Sequence, residues 1–236
     1  MKIRIFEAFA GYGSQSMALQ RLKEDFGLDY EIVGISEIDK YAIKAYNAVH
    51  PNVTNYGDIS KIDWNEVPDF DLFTYSFPCQ DISSAGKQRG LQEGSGTRSS
   101  LLWECQKAIE IKRPKFCLME NVAALVTEKF LPFFLEWERL MVRYGYTNYN
   151  RVLNAKDYGI PQNRERIFMV SIHNAEQSFY WPEPMKLDKR LKDVLETDVN
   201  EKYYLSDKAI SGFIEHRKRM EERGNGFGFK PTEGGV

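Results

Sequence analysis

The sequence is poor in the two residues that most often advertise chemistry. It has three cysteines and three histidines in 236 residues, and no Cys-x-x-Cys pair. An odd cysteine count with that spacing excludes a disulfide framework and argues against a zinc site, so no metal is expected. His50, His173 and His216 are scattered, which sets aside a hydrolase built on a cysteine–histidine pair. No apolar run approaches membrane-spanning length. The apolar stretch at residues 3–10 is too short for a secretory signal core. A cytoplasmic protein with no membrane partner is the expectation. Excess charge of one sign is also missing, with 32 Lys and Arg against 34 Asp and Glu for a net charge of -2. A nucleic-acid partner would therefore have to meet basic residues gathered on one face.

What is present is ordinary globular material, 42% hydrophobic and 28% charged, in which short β-like runs alternate with amphipathic ones. Residues 3–9 predict a strand, broken by Gly11-Tyr12-Gly13-Ser14. Ser14 is placed to cap a helix with Met17, Ala18, Leu19 and Leu22 facing inward. Residues 30–38 predict a second strand. Asp39 caps a helix to Val49 with Ala42, Ile43, Tyr46 and Val49 inward, and Pro51 stops it. Further strands are expected at 53–56, 70–77, 116–119 (capped by Glu120-Asn121), 149–153 and 167–172. Helices are expected at 101–111 and 130–144. This alternation predicts an α/β fold with a mostly parallel, twisted sheet and helices on both faces. Residues 1–175 read as one domain. Residues 176–236 read as a connecting segment, with a charged helix at 206–223, leading into the start of another region.

Several strand ends carry candidate chemistry. Pro78 fixes its own φ and restricts Phe77 to extended backbone, which presents Cys79 rigidly at a strand mouth. Open α/β sheets bind ligands there. Gly11 and Gly13 let backbone approach a ligand at a helix N-terminus, where an anion is favoured. Ser16 stands where the dinucleotide fingerprint has its third glycine, which weakens a pyrophosphate reading but not one with a small carboxylate. Glu37 can accept both hydroxyls of a ribose and Asp58 an adenine amine; together they read as an adenosine site. Glu120 ends an apolar strand at the same edge as Cys79, and a partly buried carboxyl can donate a proton. Arg164 and Arg166, at i and i+2 on an extended segment, share a face and can converge on phosphate or on Glu120. Residues 86–99 form a Gly-rich loop carrying Lys87, Arg89 and Arg98. Cys105 and Cys117 read as packed hydrophobes.

The ordered set FAGYG at 9–13, SEIDK at 36–40, GDI at 57–59, FPCQ at 77–80, MENV at 119–122 and QNRERI at 162–167 closely resembles the DNA cytosine 5-methyltransferases that use S-adenosylmethionine. The resemblance implies a Rossmann-like S-adenosylmethionine methyltransferase fold and a double-stranded DNA partner, as in restriction–modification systems. It implies that Phe9, Gly11 and Gly13 line the cofactor pocket. Glu37 would hold the ribose with Ile38 beside it, and Asp58 the adenine with Ile59 beside it. Pro78 would touch cofactor and base, and Leu101 would be a further cofactor contact. Cys79 would be the nucleophile, Glu120 the acid at the base, and Arg164 and Arg166 the polar frame around them. Gln80, Lys87, Arg89 and Arg98 would meet DNA. The methyl donor would leave as S-adenosylhomocysteine.

The sequence departs from the family after residue 172. In the family a target-recognition region follows, then two motifs near the C-terminus. Here ERGNGFGFKP at 222–231 resembles the entry to that region, and nothing matches the rest. The expectation is one part of a split enzyme or a shortened one, with a second chain supplying the remainder and no sequence-specific methylation by this chain alone. The competing readings are three. One is a catalytically incompetent fragment that only binds cofactor or partner. Another is a nicotinamide-dependent dehydrogenase, which has only the glycine turn and Glu37 behind it. The last is an RNA cytosine methyltransferase, although the family's transfer-RNA branch usually departs from FPCQ.

Overall fold

The computed structural model describes residues 2–78, 101–176 and 178–224. The elements in chain order are β1 (Ile3–Ala8), α1 (Ser14–Phe26), β2 (Tyr30–Ser36), α2 (Lys40–Val49), β3 (Leu72–Tyr75) and α3 (Leu102–Lys112). There follow β4 (Phe116–Val122), α4 (Leu131–Arg143), β5 (Tyr146–Asn154), β6 (Glu165–His173) and α5 (Asp207–Glu222). Six strands form one sheet in the order β2-β1-β3-β4-β6-β5. β2, β1, β3 and β4 are parallel, and β6 runs antiparallel to β4. The sheet is therefore mixed, with a parallel portion of four strands.

Side-chain alternation divides the sheet into two unlike faces. Phe6, Phe73 and Cys117 stand in register, as do Ala8, Tyr75 and Met119. They are buried in one core with Leu102, Cys105 and Ile109 of α3 and Phe134, Trp137 and Met141 of α4. Trp137 Nε1 donates to Tyr75 Oη across that layer (3.0 Å). The opposite face carries Glu7 and Thr74, again in register, under α1 and α2. Helices thus cover both faces, as the alternation predicts.

Several local expectations change. Gly13, not Ser14, is the N-cap of α1, at φ 90°; Ser14 begins the helix and its hydroxyl donates to Gln15 Oε1. The buried face of α1 is Ser16 and Leu19, while Met17 and Leu22 are 39% and 43% exposed. The cause is Glu7: it draws Ser16 inward through a 2.6 Å hydrogen bond and so turns the helix about its axis. In α2 Tyr46 is buried and Val49 exposed. Asp39 caps α2 as expected, accepting from the N–H groups of Tyr41 and Ala42. Residues 53–56 make no full strand; they meet β2 through a single bridge between Ile35 and Asn55. Glu120 and Asn121 do not cap β4 but lie within it, because pairing with β6 continues to Val122 opposite Arg166.

The chain divides into two compact units, Met1–Leu153 with Glu165–Pro182, and Asn154–Arg164 with Glu183–Val236. The first holds nearly all of the sheet and its core. In the second, Met185 N–H donates to the Asp157 carbonyl (2.8 Å), and Ser206 caps α5 by accepting from Ala209 N–H. α5 buries none of its residues.

Candidate active site

The sheet order sets the place for a ligand. The chain moves from β1 outward to β2 on one side, then returns to β3 and β4 on the other. The loops diverge at the carboxyl ends of β1 and β3, where doubly wound sheets open a crevice. A cavity of about 380 Å³ lies there. Phe9, Ile38, Ile59, Pro78 and Leu101 give it apolar walls, and Ser36, Glu37, Asp39 and Asp58 give it a polar rim. That is the volume and character of a small-molecule site. Ser36 and Asp39 were not anticipated from the sequence; the other seven were. Gly11 and Gly13 do not line it. They shape the turn behind it.

The turn is built by backbone conformations that favour glycine. Gly11 and Gly13 have φ 58° and 90°. At Gly13 even the space is taken, since a Cβ would lie 2.7 Å from the His50 ring and 2.9 Å from that of Tyr46. Phe9 also sits at positive φ, 57°, which is costly for an aromatic residue and holds its ring at the cavity.

Glu37 faces the pocket with its carboxylate held in place. Oε2 accepts from Gly11 N–H (2.8 Å), and Oε1 accepts from Ile38 and Asp39 N–H (2.8 Å each). A carboxylate offers about four acceptor positions, so one on Oε2 stays open to a ligand hydroxyl. Asp58 caps a short turn, its Oδ1 accepting from both the N–H and the hydroxyl of Ser60. The Ser60 side chain, then its backbone N–H, hold the Asp58 carboxyl below its ordinary value, with Lys61 adding to the effect. Asp58 is thus an anion, its Oδ2 paired with Lys61 Nζ at 3.6 Å.

Beneath the turn lies a polar group that sequence reasoning missed. Glu7 is fully buried, and its Oε2 accepts from Ser16 Oγ (2.6 Å) and Tyr46 Oη (2.9 Å). Burial pushes the Glu7 carboxyl up, opposed by those bonds, and pushes the Tyr46 phenol up as well. The signals were a carboxylate in the middle of an apolar strand and a serine in place of the third glycine.

The segment leading to the predicted nucleophile is held from two sides. Gln15 Nε2 donates to Ser76 Oγ (3.1 Å), and Asn121 Nδ2 donates to the Phe77 carbonyl (3.0 Å) in a buried setting. Asn121 is a second residue the sequence did not single out in its own right. Cys79, Gln80, Lys87, Arg89 and Arg98 lie outside the described residues. Glu120 and Arg166 are brought together, Nε to Oε1 at 3.1 Å, both about three-quarters covered. Arg164 falls in the second unit, where its N–H donates to Asn154 Oδ1 and its carbonyl accepts from Ala155 N–H. Cys105 and Cys117 are buried, and burial raises both thiols well above the ordinary range, so neither supplies a thiolate. Among the described residues no cluster is arranged to hold a metal ion, and no helix is long and apolar enough to cross a membrane.

A mixed α/β sheet with a nucleoside-sized crevice at its switch point defines a Rossmann-like methyltransferase fold. Schizosaccharomyces pombe Dnmt2 methyltransferase shares it, with a TM-score of 0.69 at 19% identity over 92% of this chain and 67% of that one. The chain belongs to the C-5 cytosine-specific DNA methylases, whose family pattern it matches over residues 3–233. It is 41% identical to the type II methyltransferase M2.ScrFI of Lactococcus lactis subsp. cremoris, over 89% of this chain and 72% of the relative. It is 35% identical to the type II methyltransferase M.NlaX of Neisseria lactamica, over 96% of this chain and 70% of the relative. Its chemistry is methyl transfer from S-adenosylmethionine to carbon 5 of cytosine in DNA.

Proposed function

We propose that S-adenosylmethionine occupies the 380 Å³ cavity and that Cys79 attacks a flipped-out cytosine of duplex DNA beside it. The observation that carries the reading is the cavity itself. Residues from five separate stretches of sequence, Phe9, Glu37-Ile38, Asp58-Ile59, Pro78 and Leu101, line one space. The donor set fits an adenosine. The open position on Glu37 Oε2 takes a ribose hydroxyl, Asp58 takes the adenine amine, and the apolar walls take the ring. Gly11 and Gly13 admit the methionyl end to the N-terminus of α1. The bound cofactor supplies a methyl group on a sulfonium.

The chain's own residues make the acceptor. Carbon 5 of cytosine is a weak nucleophile. The Cys79 thiolate forms a bond to carbon 6 and so turns carbon 5 into an enamine carbon. Glu120, oriented by Arg166, sits at ring nitrogen 3 and stabilises the charge that develops there. Once carbon 5 carries the methyl, its proton leaves and the bond from sulfur to carbon 6 breaks, restoring aromaticity. The ring edge is not accessible inside a duplex, so the base is extruded, at a cost of about a few kcal/mol. Gln80, Lys87, Arg89 and Arg98 hold the opened DNA through base and phosphate contacts. With DNA as substrate, the cytoplasm is the compartment.

Duplex DNA carrying 5-fluorocytosine tests this, because fluorine cannot leave as the proton does and the adduct persists. The adduct is expected to form through Cys79, to vanish in Cys79→Ser and to survive in Cys105→Ser and Cys117→Ser. An adduct in Cys79→Ser would sink the mechanism. Calorimetry with S-adenosylmethionine tests the pocket separately: Glu37→Ala binding as tightly as the parent would remove Glu37 from it.

A further inference from the structure

We propose that Asn55, outside the cavity lining, is a positioning residue for the cofactor, fixing the distance between its two carboxylate contacts, Glu37 and Asp58. The inference rests on the reading of the cavity as the S-adenosylmethionine site. Glu37 and Asp58 sit on different segments and share no hydrogen bond that would hold them at one spacing. The connection runs through the Asn55 side chain. Its Oδ1 accepts from Glu37 N–H (3.1 Å) and from Gly57 N–H (2.9 Å), and its Nδ2 donates to the Glu37 carbonyl (3.0 Å).

The geometry explains why an asparagine is needed. Residues 54–56 lie along β2 as a fragment of a further strand. Ile35 N–H donates to the Thr54 carbonyl (2.9 Å), and Tyr56 N–H donates to the Ile35 carbonyl (2.8 Å). The next rung of a parallel ladder would pair the chain with Glu37, but the backbone leaves β2 at Gly57, which has φ 74°. A primary amide carries one acceptor and one donor group, like a peptide unit. Asn55 therefore supplies the missing rung, satisfying both the N–H and the carbonyl of Glu37 while it holds Gly57 N–H. Ser36 Oγ adds a tie to the Gly57 carbonyl (2.7 Å). Asp58 follows Gly57 directly, so the staple sets where its carboxylate stands relative to Glu37. Tyr56 packs against Gly34, where a Cβ would lie 2.5 Å from its ring, which keeps the fragment close to β2.

A double-mutant cycle on the full chain, read as S-adenosylmethionine Kd by calorimetry, tests this without DNA or turnover. Asn55→Ala is expected to weaken binding about tenfold or more, and Glu37→Ala at least as much. In the Glu37→Ala background, Asn55→Ala should add less than about threefold, because it acts through Glu37. Asn55→Asp keeps both acceptor bonds and loses the donor; it should fall between parent and Asn55→Ala, and it serves if the alanine variant does not fold. Independent, multiplicative losses in the cycle, or an Asn55→Ala chain that binds as the parent does, would overturn the proposal. A parent chain that binds no S-adenosylmethionine overturns the pocket reading and this inference with it.

Discussion

The two faces of the sheet are built on opposite principles from alternate residues of the same strands. On the Phe6 face, Phe6, Trp64, Phe70, Phe73 and Tyr75 form a chain of ring contacts with centroids 5.0 to 6.3 Å apart. Stability there comes from apolar area removed from water and from close packing, which is non-directional and tolerant. On the Glu7 face a buried carboxyl accepts two short hydrogen bonds, from a serine and a tyrosine, directly behind the glycine turn. Glu7 Oε1 and Thr74 Oγ1 are buried there without a partner among the described residues. A polar group in a low-dielectric setting is valuable when satisfied and costly when not. The difference teaches that one face makes the sheet stable, while the other spends stability to fix the backbone that meets the ligand.

The largest expected effect lies on the apolar face. Phe73→Ala removes a fully buried ring from the middle of the aromatic chain and is expected to destabilise by about 3–5 kcal/mol in urea denaturation. A loss below about 1 kcal/mol would show that the face repacks freely.

A smaller effect, of opposite sign, is expected at Glu7. Its folded value lies above its ordinary 4.5, so the folded chain holds a proton that the unfolded chain releases. Its contribution to stability is whole below pH 4.5 and is lost as pH rises through the folded value. Glu7→Gln carries no such proton. It should flatten that stretch of the stability–pH curve and, above the folded value, leave the protein more stable than the parent. Thermal melts across pH check this; a curve for Glu7→Gln parallel to the parent's refutes the buried acid.

The smallest effect is expected at Thr74. Val has its shape and lacks the unpartnered hydroxyl, so Thr74→Val should be neutral or stabilising by up to about 1 kcal/mol. A clear loss would mean that the hydroxyl is satisfied by water, and that this face is better paired than its side chains alone make it.

Much of this was legible because the signals are local. Strand–helix alternation gave the elements, and the rule that ligands gather at strand ends placed Phe9, Glu37, Asp58 and Pro78 on one edge before any coordinates. The exceptions come from partners distant in sequence. Ser16 turns inward because Glu7 is nine residues away and buried, which no helical periodicity reports. β4 runs on through Glu120 because β6 arrives to pair with it. Asn55 looks like an ordinary turn residue until β2 lies beside it. Cys79 was the strongest local signal of all, and it lies outside the described residues.

The position of β6 has a consequence for how the chain is made. β5 leaves translation before β6, yet in the sheet β6 stands between β5 and β4, and among the described residues β5 has no other neighbouring strand. Asn154 and His173, the last residues of β5 and β6, are 19 residues apart. At roughly 5–20 residues per second that is a wait of about one to four seconds. Throughout it the nine residues Tyr146–Asn154 have no strand to pair with. A nascent strand of that length with bare amides is a template for pairing with other chains. Arrival of β6 closes both gaps at once, joining β5 to the sheet in the same event that brings Arg166 to Glu120.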